Sequence, residues 1–143
     1  MARAVLIIDD EETLARNLAV YLGRLGYEVR TAGSAEDGLL QHAEFKPDVV
    51  LLDHNLPGMT GLEALGRLRA ADTQAQVVMM TGFGGTELAV KAMKQGAADF
   101  LSKQLALSEL KLLLERLMQR NRLETAVHYY ARREAKDSGL DKI

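Results

Sequence analysis

The fold of this chain is decided by one stretch, Pro47-Asp48-Val49-Val50-Leu51-Leu52-Asp53-His54-Asn55-Leu56-Pro57-Gly58. Its four consecutive apolar residues, two of them β-branched, predict a strand that is buried on both faces. The strand ends on a carboxylate, Asp53, and the segment Leu56-Pro57-Gly58 has the composition of a turn. In open α/β sheets, functional groups lie at the carboxyl ends of the strands. Asp53 is therefore the first candidate site residue.

The rest of the chain repeats the same alternation of strand and helix. Apolar runs at 4–8 and 77–80 predict two more buried strands, 27–31 alternates like an exposed edge strand, and 97–101 predicts a short last strand. Leucines at helical spacing, or capping patterns that begin at Ser34 and Thr60, predict helices between these strands. Such alternation favours a parallel sheet covered on both faces. We expect an α/β fold, a flavodoxin-like doubly wound five-stranded parallel sheet of order 2-1-3-4-5 with an extended C-terminal helix.

Polar side chains that complement one another follow four of the predicted strands. They are Asp9 and Asp10 after the first strand, Asp53 after the third, Thr81 after the fourth and Lys103 after the fifth. All carboxyl ends of a parallel sheet lie at one edge, so these groups can share a pocket. For any single strand end, a polar residue that merely reaches solvent is the simpler interpretation. The combination of three carboxylates, a hydroxyl and an amine favours a shared site.

The residue types at this edge point to phosphoryl chemistry. Three neighbouring carboxylates repel one another and favour a hard divalent cation such as Mg²⁺ at neutral pH. A carboxylate beside such a cation can attack phosphorus and form an aspartyl phosphate. The oxygens of the transferred group then need partners, which an ammonium group and a hydroxyl group supply. Asp53, Lys103 and Thr81 match these three requirements.

The set Asp9-Asp10, Asp53, Thr81 and Lys103 resembles the signature of receiver domains of two-component response regulators, over about residues 3–118. The resemblance implies that Asp53 accepts a phosphoryl group from the phosphohistidine of a sensor histidine kinase. It implies that Lys103 pairs with a phosphoryl oxygen and that Thr81 closes on the phosphoryl group. The chain would then be a signalling domain and not an enzyme, although it would assist its own phosphorylation and dephosphorylation.

The resemblance also implies a metal site and a conformational switch. Asp10, Asp53 and the backbone carbonyl of Asn55 would bind Mg²⁺ directly, and Asp9 would act mainly through water. Phe100 matches the aromatic residue that changes rotamer together with the threonine of the family. These assignments are expectations carried by the resemblance.

One departure from the family pattern lies directly after the signature lysine. The lysine is usually followed by a proline in a cis bond, whereas Gln104 follows Lys103 here. A cis bond before a non-proline residue costs about 2.5–4 kcal/mol, which favours a trans bond. The departure affects the reach of Lys103 and not its role. Elsewhere, His42 lies in a predicted helix and is expected to be an ordinary surface residue.

Composition and charge exclude several classes of protein. The formal net charge of −2 gives no overall field that would attract nucleic acid or an anionic membrane. The chain has no cysteine, which excludes disulfides and thiolate chemistry. No apolar stretch approaches the roughly 18–20 residues of a membrane span, and the early first strand leaves no room for a signal peptide. We expect a cytoplasmic protein without membrane contact and without direct nucleic-acid contact by this segment.

The sequence after the fifth strand predicts a helix from about Leu107 to about Lys136. Its first part carries leucines that would pack on the sheet or on a partner: Leu110, Leu113, Leu114 and Leu117. A second apolar stripe within 123–131 favours a parallel coiled coil and a homodimer, and folding back on the same domain is the alternative. We therefore divide the chain into a receiver domain at 1–118 and a helical linker at 119–143. The ending resembles the junction before the AAA+ ATPase domain of sigma-54-dependent activators of the nitrogen-regulatory type, which implies a transcriptional output domain.

Other classes of function use part of this pattern. A Mg²⁺-dependent phosphohydrolase also has an aspartate nucleophile at a strand end, but it normally has a second acid where this chain has Asn55. An FMN carrier needs a phosphate-binding loop after the first strand, where Asp9-Asp10-Glu11-Glu12 would repel phosphate. A stand-alone receiver that acts through protein–protein contacts is a further alternative.

Overall fold

The computed structural model of the chain describes residues 3–82, 85–104 and 106–119. Strands and helices alternate in the order β1 (Ala4–Ile8), α1 (Glu12–Arg24), β2 (Glu28–Ala32), α2 (Ala35–Phe45), β3 (Val49–Asp53), α3 (Gly61–Ala71), β4 (Gln76–Thr81), α4 (Thr86–Lys94) and β5 (Asp99–Ser102). A last helix, α5, occupies 107–119. The five strands form one parallel sheet of order β2-β1-β3-β4-β5, which confirms the predicted sheet.

The predicted linker and coiled coil fall, from residue 120 onward, outside the described part of the chain. Within the described part, no helix is both long enough and apolar enough to cross a lipid bilayer. This finding agrees with the short apolar runs of the sequence.

The central strands are buried on both faces because helices cover each side of the sheet. Alternate side chains of a strand point to opposite faces. Those on one face pack against α2, α3 and α4 and include Leu6, Ile8, Val50, Leu52, Val77 and Met79. Those on the other face pack against α1 and α5 and include Val5, Ile7, Val49, Leu51, Val78 and Met80. Two covered faces explain why these strands are continuous apolar runs in the sequence.

Helix α5 covers its own sheet with the leucines that the sequence assigned either to the sheet or to a partner. All four are buried: Leu110, Leu113, Leu114 and Leu117. In the last described turn of α5, the side-chain amide of Gln76 donates to the Leu117 carbonyl at 2.8 Å. The guanidinium of Arg3 donates to the Met118 carbonyl at 3.3 Å. These bonds join α5 to the start of β4 and to the residue before β1.

Side-chain caps begin two of the helices, as the sequence predicts. The Ser34 hydroxyl accepts a hydrogen bond from the Asp37 N–H at 3.1 Å, and the Thr60 hydroxyl accepts one from the Glu63 N–H at 3.2 Å. Each bond satisfies a backbone donor that the first helical turn leaves free. Gly58 has φ of 81°, a conformation that favours glycine. The turn after β3 and the start of α3 therefore follow from local sequence.

Helix α2 ends on a residue with a left-handed backbone. Lys46 has φ of 52° and ψ of 60°, and its N–H donates to the His42 carbonyl at 3.0 Å. In this conformation a residue with a Cβ is strained by roughly 1–2 kcal/mol, whereas glycine is not. Glycine has more conformational freedom in the unfolded chain, which offsets part of that advantage. We therefore expect Lys46→Gly to raise the free energy of unfolding in urea by about 0.5–1 kcal/mol. Lys46→Ala keeps the Cβ and should give no gain, so equal gains in both variants would contradict this explanation.

His42 is buried, and the expectation of a surface residue was wrong. It is 7% exposed, its Nε2 has no hydrogen-bond partner, and this atom lies 4.0 Å from a carboxylate oxygen of Asp72. Helix α2 packs against β1 and β2 and also contacts the neighbouring helix α3, so a polar residue on the side that faces them loses contact with water. Burial lowers the pKa of His42, and the Asp72 carboxylate only partly opposes this effect.

The lowered pKa of His42 predicts a loss of stability in acid. Below about pH 6.5 the unfolded chain takes up a proton at this imidazole before the folded chain does. The free energy of unfolding should therefore fall as pH decreases through that range, and the fall should stop below the pKa of the folded state. In urea denaturation between pH 7.5 and 5, the free energy of unfolding should fall more in the wild type than in His42→Gln. Parallel pH curves for the two proteins would exclude His42 as the cause.

Candidate functional site

The predicted site residues meet at the carboxyl edge of the sheet. Asp9 directly follows β1, Asp53 ends β3, and the buried Thr81 ends β4, and these three strands are neighbours. Ile8 pairs with Leu52, one residue before each of the two carboxylates, so both strands end at the same level. Asp9 and Asp53 are 2% and 0% exposed. Both carboxylates are therefore removed from bulk water.

The Lys103 ammonium lies among three carboxylates. Its Nζ is 3.0 Å from Oδ2 of Asp53, 2.8 Å from Oε1 of Glu11, and 3.3 and 3.2 Å from Oδ1 and Oδ2 of Asp9. The backbone N–H of Lys103 donates to the Thr81 carbonyl at 2.9 Å, which ties the end of β5 to the end of β4. The structure thus brings Asp9, Asp53, Thr81 and Lys103 together, as the sequence predicts.

Glu11 is a residue of this site that sequence reasoning missed. Its carboxylate contacts Lys103, its backbone N–H donates to Oδ1 of Asp9 at 2.9 Å, and its side chain is 60% exposed. Its position directly after Asp9-Asp10 is the only sign of this role in the sequence. No periodicity links it to a lysine 92 residues away.

The three carboxylates that contact Lys103 carry more negative charge than its single ammonium can balance. Burial raises the pKa of Asp9 to about 6; the Glu11 N–H and the Lys103 ammonium oppose this rise, and the Asp53 carboxylate adds to it. Burial by itself would lower the pKa of Lys103, but the hydrogen bonds to Glu11 and Asp53 and the charges of Asp53 and Asp9 outweigh it. The pKa of Lys103 is therefore raised, and its ammonium stays protonated at neutral pH.

The acidic residues of the site fit a divalent cation. Asp9, Asp10 and Asp53 each offer a carboxylate oxygen, and these atoms lie within 4.8 Å of one another. Oδ2 of Asp9 is buried and accepts no well-formed hydrogen bond, although the Lys103 ammonium is 3.2 Å away. Asp10 is exposed and leaves the cluster open to solvent. An all-oxygen set of this kind suits Mg²⁺, which usually keeps several waters.

Of the remaining predicted residues, Asn55 contacts this cluster and Phe100 lies in the neighbouring core. The Asn55 N–H donates to Oδ1 of Asp53 at 3.1 Å, so both oxygens of that carboxylate accept hydrogen bonds. Phe100, in β5, is partly buried and packs against the core beneath α2, α3 and α4. The Lys103–Gln104 peptide bond is trans, as the sequence favours.

Gly61 brings the start of α3 against the backbone that carries Asp53. The Gly61 N–H donates to the His54 carbonyl at 2.9 Å. A Cβ at position 61 would lie 2.5 Å from Cα of His54 and 2.8 Å from the carbonyl oxygen of Asp53. Only glycine permits this approach without movement of the backbone. Helix α3 therefore supports the site backbone directly.

Comparison with known proteins places this architecture in a family. The family model of the response regulator receiver domain matches residues 5–115. Regulatory protein AtoC of Escherichia coli (strain K12) is 34% identical over 125 residues, which cover 87% of this chain and 27% of AtoC. Nitrogen assimilation regulatory protein NtrX of Azorhizobium caulinodans is 36% identical over 129 residues, which cover 89% of this chain and 28% of NtrX.

A solved structure agrees with these sequence matches. The crystal structure of NtrX from Brucella abortus aligns with a TM-score of 0.86 at 33% identity, covering 93% of this chain and 31% of that one. The chain thus spans less than a third of each of these relatives. The family match includes all five strands except Ala4 and every residue of the site from Asp9 to Lys103. The chain therefore belongs to the response regulator receiver domain family of two-component signalling.

Proposed function

We propose that this receiver domain accepts a phosphoryl group on Asp53 from the phosphohistidine of a sensor histidine kinase. The environment of the Asp53 carboxylate carries the proposal. One oxygen accepts a hydrogen bond from the Lys103 ammonium at 3.0 Å, and the other accepts one from the Asn55 N–H at 3.1 Å. Oxygens of Asp9 and Asp10 lie within 4.8 Å. A buried carboxylate between a fixed ammonium and a cation-binding cluster suits attack on phosphorus.

In the transfer, an oxygen of Asp53 bonds to phosphorus while the bond from phosphorus to the imidazole nitrogen of the kinase breaks. The electron pair of the broken bond stays on that nitrogen, and neutral imidazole leaves after taking up a proton. Lys103 offsets the charge of the phosphoryl oxygens because its ammonium already lies beside Asp53. Asp10, Asp53 and the Asn55 carbonyl would hold Mg²⁺, with Asp9 acting through water. The bound cation supplies further positive charge to the same oxygens.

Phosphorylation would act on the rest of the domain through Thr81 and Phe100. The Thr81 hydroxyl would donate to a phosphoryl oxygen, and Phe100 would move inward with it. This movement would change the face formed by α4 and β5. The response is a shift between two states, driven by the difference in their stability once Asp53 carries the phosphoryl group.

The signal would leave the domain through the C-terminal segment. We assign the receiver domain to 1–118 and a helical linker to 119–143, with homodimerisation through a coiled coil. An output domain of the sigma-54-dependent AAA+ type would follow, which the small share of AtoC and NtrX covered by this chain supports. The whole protein would act in the cytoplasm, and this segment would make no direct contact with nucleic acid. Phosphorylation would control the dimer arrangement and through it transcription.

Incubation with acetyl phosphate and Mg²⁺, followed by intact-mass measurement, tests the phosphoacceptor. Wild-type protein should gain one phosphoryl group per chain, and Asp53→Ala should gain none, because the variant lacks the proposed acceptor carboxylate. Sedimentation velocity with Mg²⁺ and beryllofluoride should show a change of shape or oligomeric state in the wild type alone. Equal labelling of Asp53→Ala would contradict the assignment. Sustained turnover of small phosphate esters would favour a phosphohydrolase instead.

A further inference from the structure

All hydrogen-bond donors of the Lys103 ammonium are already engaged. An ammonium group carries three N–H donors. Three carboxylates accept from it, those of Asp9 at 3.3 Å, Glu11 at 2.8 Å and Asp53 at 3.0 Å. Phosphorylation turns the Asp53 carboxylate into an acyl phosphate and frees the N–H that Asp53 accepts from Lys103, so one phosphoryl oxygen can take that donor. A second phosphoryl oxygen can gain a donor from Lys103 only if Asp9 or Glu11 releases its own.

The free-energy cost of losing the hydrogen bond from Lys103 differs among the three carboxylates. The side chains of Asp9 and Asp53 are 0% and 1% exposed, whereas that of Glu11 is 60% exposed. Release of Asp9 would leave a buried charge without its partner, while a released Glu11 carboxylate is hydrated by solvent. Asp9 and Asp53 also belong to the acidic cluster that suits a cation, and among the described residues Glu11 does not. Glu11 is therefore the carboxylate that can be exchanged.

We propose that Glu11 is a positioning residue of the phosphoryl site, an inference that rests on the function proposed above. In the unphosphorylated protein, the Glu11 carboxylate holds the Lys103 ammonium beside Asp53. When Asp53 carries a phosphoryl group, the N–H that Asp53 accepted turns to one phosphoryl oxygen, and the ammonium turns a second N–H from Glu11 to another. Glu11 thus keeps Lys103 in position and at the same time competes with the phosphoryl group for it. The bond from the Glu11 N–H to Asp9 at 2.9 Å fixes the backbone from which this side chain reaches.

Three variants distinguish the effect of the Glu11–Lys103 contact from the effect of the negative charge carried by the segment 9–12. Glu11→Gln removes the charge and keeps the reach, and Glu11→Asp keeps the charge and shortens the reach. Glu12→Gln removes a neighbouring charge, and Glu12 makes no ion pair or side-chain hydrogen bond within the described residues. Binding of beryllofluoride is measured by ¹⁹F NMR at saturating Mg²⁺, with a separate Mg²⁺ titration and urea denaturation for each protein.

Both Glu11 variants should bind beryllofluoride about two- to fivefold more tightly than the wild type, the factor that corresponds to a half-exposed ion pair. Glu12→Gln should match the wild type. The proposal would be overturned if the affinity for beryllofluoride rose equally in Glu11→Gln and Glu12→Gln and stayed unchanged in Glu11→Asp. That result would mean that only the local negative charge matters. Weaker binding by both Glu11 variants would also overturn it, because Glu11 would then support the bound group. If the wild type itself binds no beryllofluoride, the proposed function fails and not merely the role of Glu11.

Discussion

Replacement of Lys103 by methionine is expected to lower the free energy of unfolding by about 3–5 kcal/mol in metal-free buffer. The side chain is 10% exposed and is the counter-ion of two buried carboxylates, Asp9 and Asp53. Methionine has a similar length and fills the same space, so the loss reports on charge and not on packing. Without the ammonium, the two buried carboxylates repel each other and lack a cationic partner.

The variant Asp53→Asn should behave in the opposite way. It removes one of the carboxylates that crowd a single ammonium, so its free energy of unfolding should equal or exceed that of the wild type. Urea denaturation in EDTA measures both variants. Added Mg²⁺ should restore part of the stability lost in Lys103→Met, because a cation in the acidic cluster replaces some of the missing charge. Equal destabilisation by Lys103→Met and Asp53→Asn would show that packing, and not charge, controls the stability of this site.

If Lys103 holds a phosphoryl oxygen as proposed, Lys103→Met should also abolish the response to beryllofluoride, because methionine has no N–H or positive charge to offer. Lys103→Arg keeps the positive charge and serves as the matched control for stability. We expect most of the folding energy to return in this variant. Its response to beryllofluoride should stay weak, because the bulkier guanidinium presents its donors in a different geometry.

Gly61→Ala is expected to lower the free energy of unfolding by about 3 kcal/mol, the upper end of the range for overpacked sites. The added Cβ would meet Cα of His54 at 2.5 Å and the Asp53 carbonyl oxygen at 2.8 Å. These are backbone atoms in a buried part of the sheet edge, so they cannot move aside as a flexible side chain would. The start of α3 or the backbone of Asp53 must shift.

The same helix supplies a control at Gly66. A Cβ at that position has no neighbour within 4 Å. Gly66→Ala should therefore raise stability by about 0.5–1 kcal/mol through helix propensity alone. Beryllofluoride affinity should fall in Gly61→Ala and stay unchanged in Gly66→Ala, because only the first substitution displaces the site backbone. A stabilising effect of both would show that α3 can move away from Asp53 at little cost.

The positions of the strands and the composition of the site follow from local sequence and from the rules of parallel sheets. Uninterrupted apolar runs are typical of strands covered on both faces, and the caps at Ser34 and Thr60 form within one helical turn. Carboxyl ends of parallel strands share one edge, so Asp9, Asp53 and Thr81 could be placed together without coordinates. These features depend on neighbours in sequence or on the rules of parallel sheets.

Other features were decided only when distant parts of the chain came together. The leucines of α5 pack on their own sheet because the surface beside α1 is open to them. The hydrogen bond from Gln76 to Leu117, 41 residues away in the sequence, holds the helix there. The burial of His42 depends on α3, and the contact of Glu11 with Lys103 spans 92 residues. Contacts between long polar side chains often join residues that are distant in the sequence, so no periodic pattern predicts them. The sequence determined which groups reach the edge of the sheet, and tertiary packing decided which carboxylates hold the ammonium, because that choice depends on burial and on distances of a few ångströms.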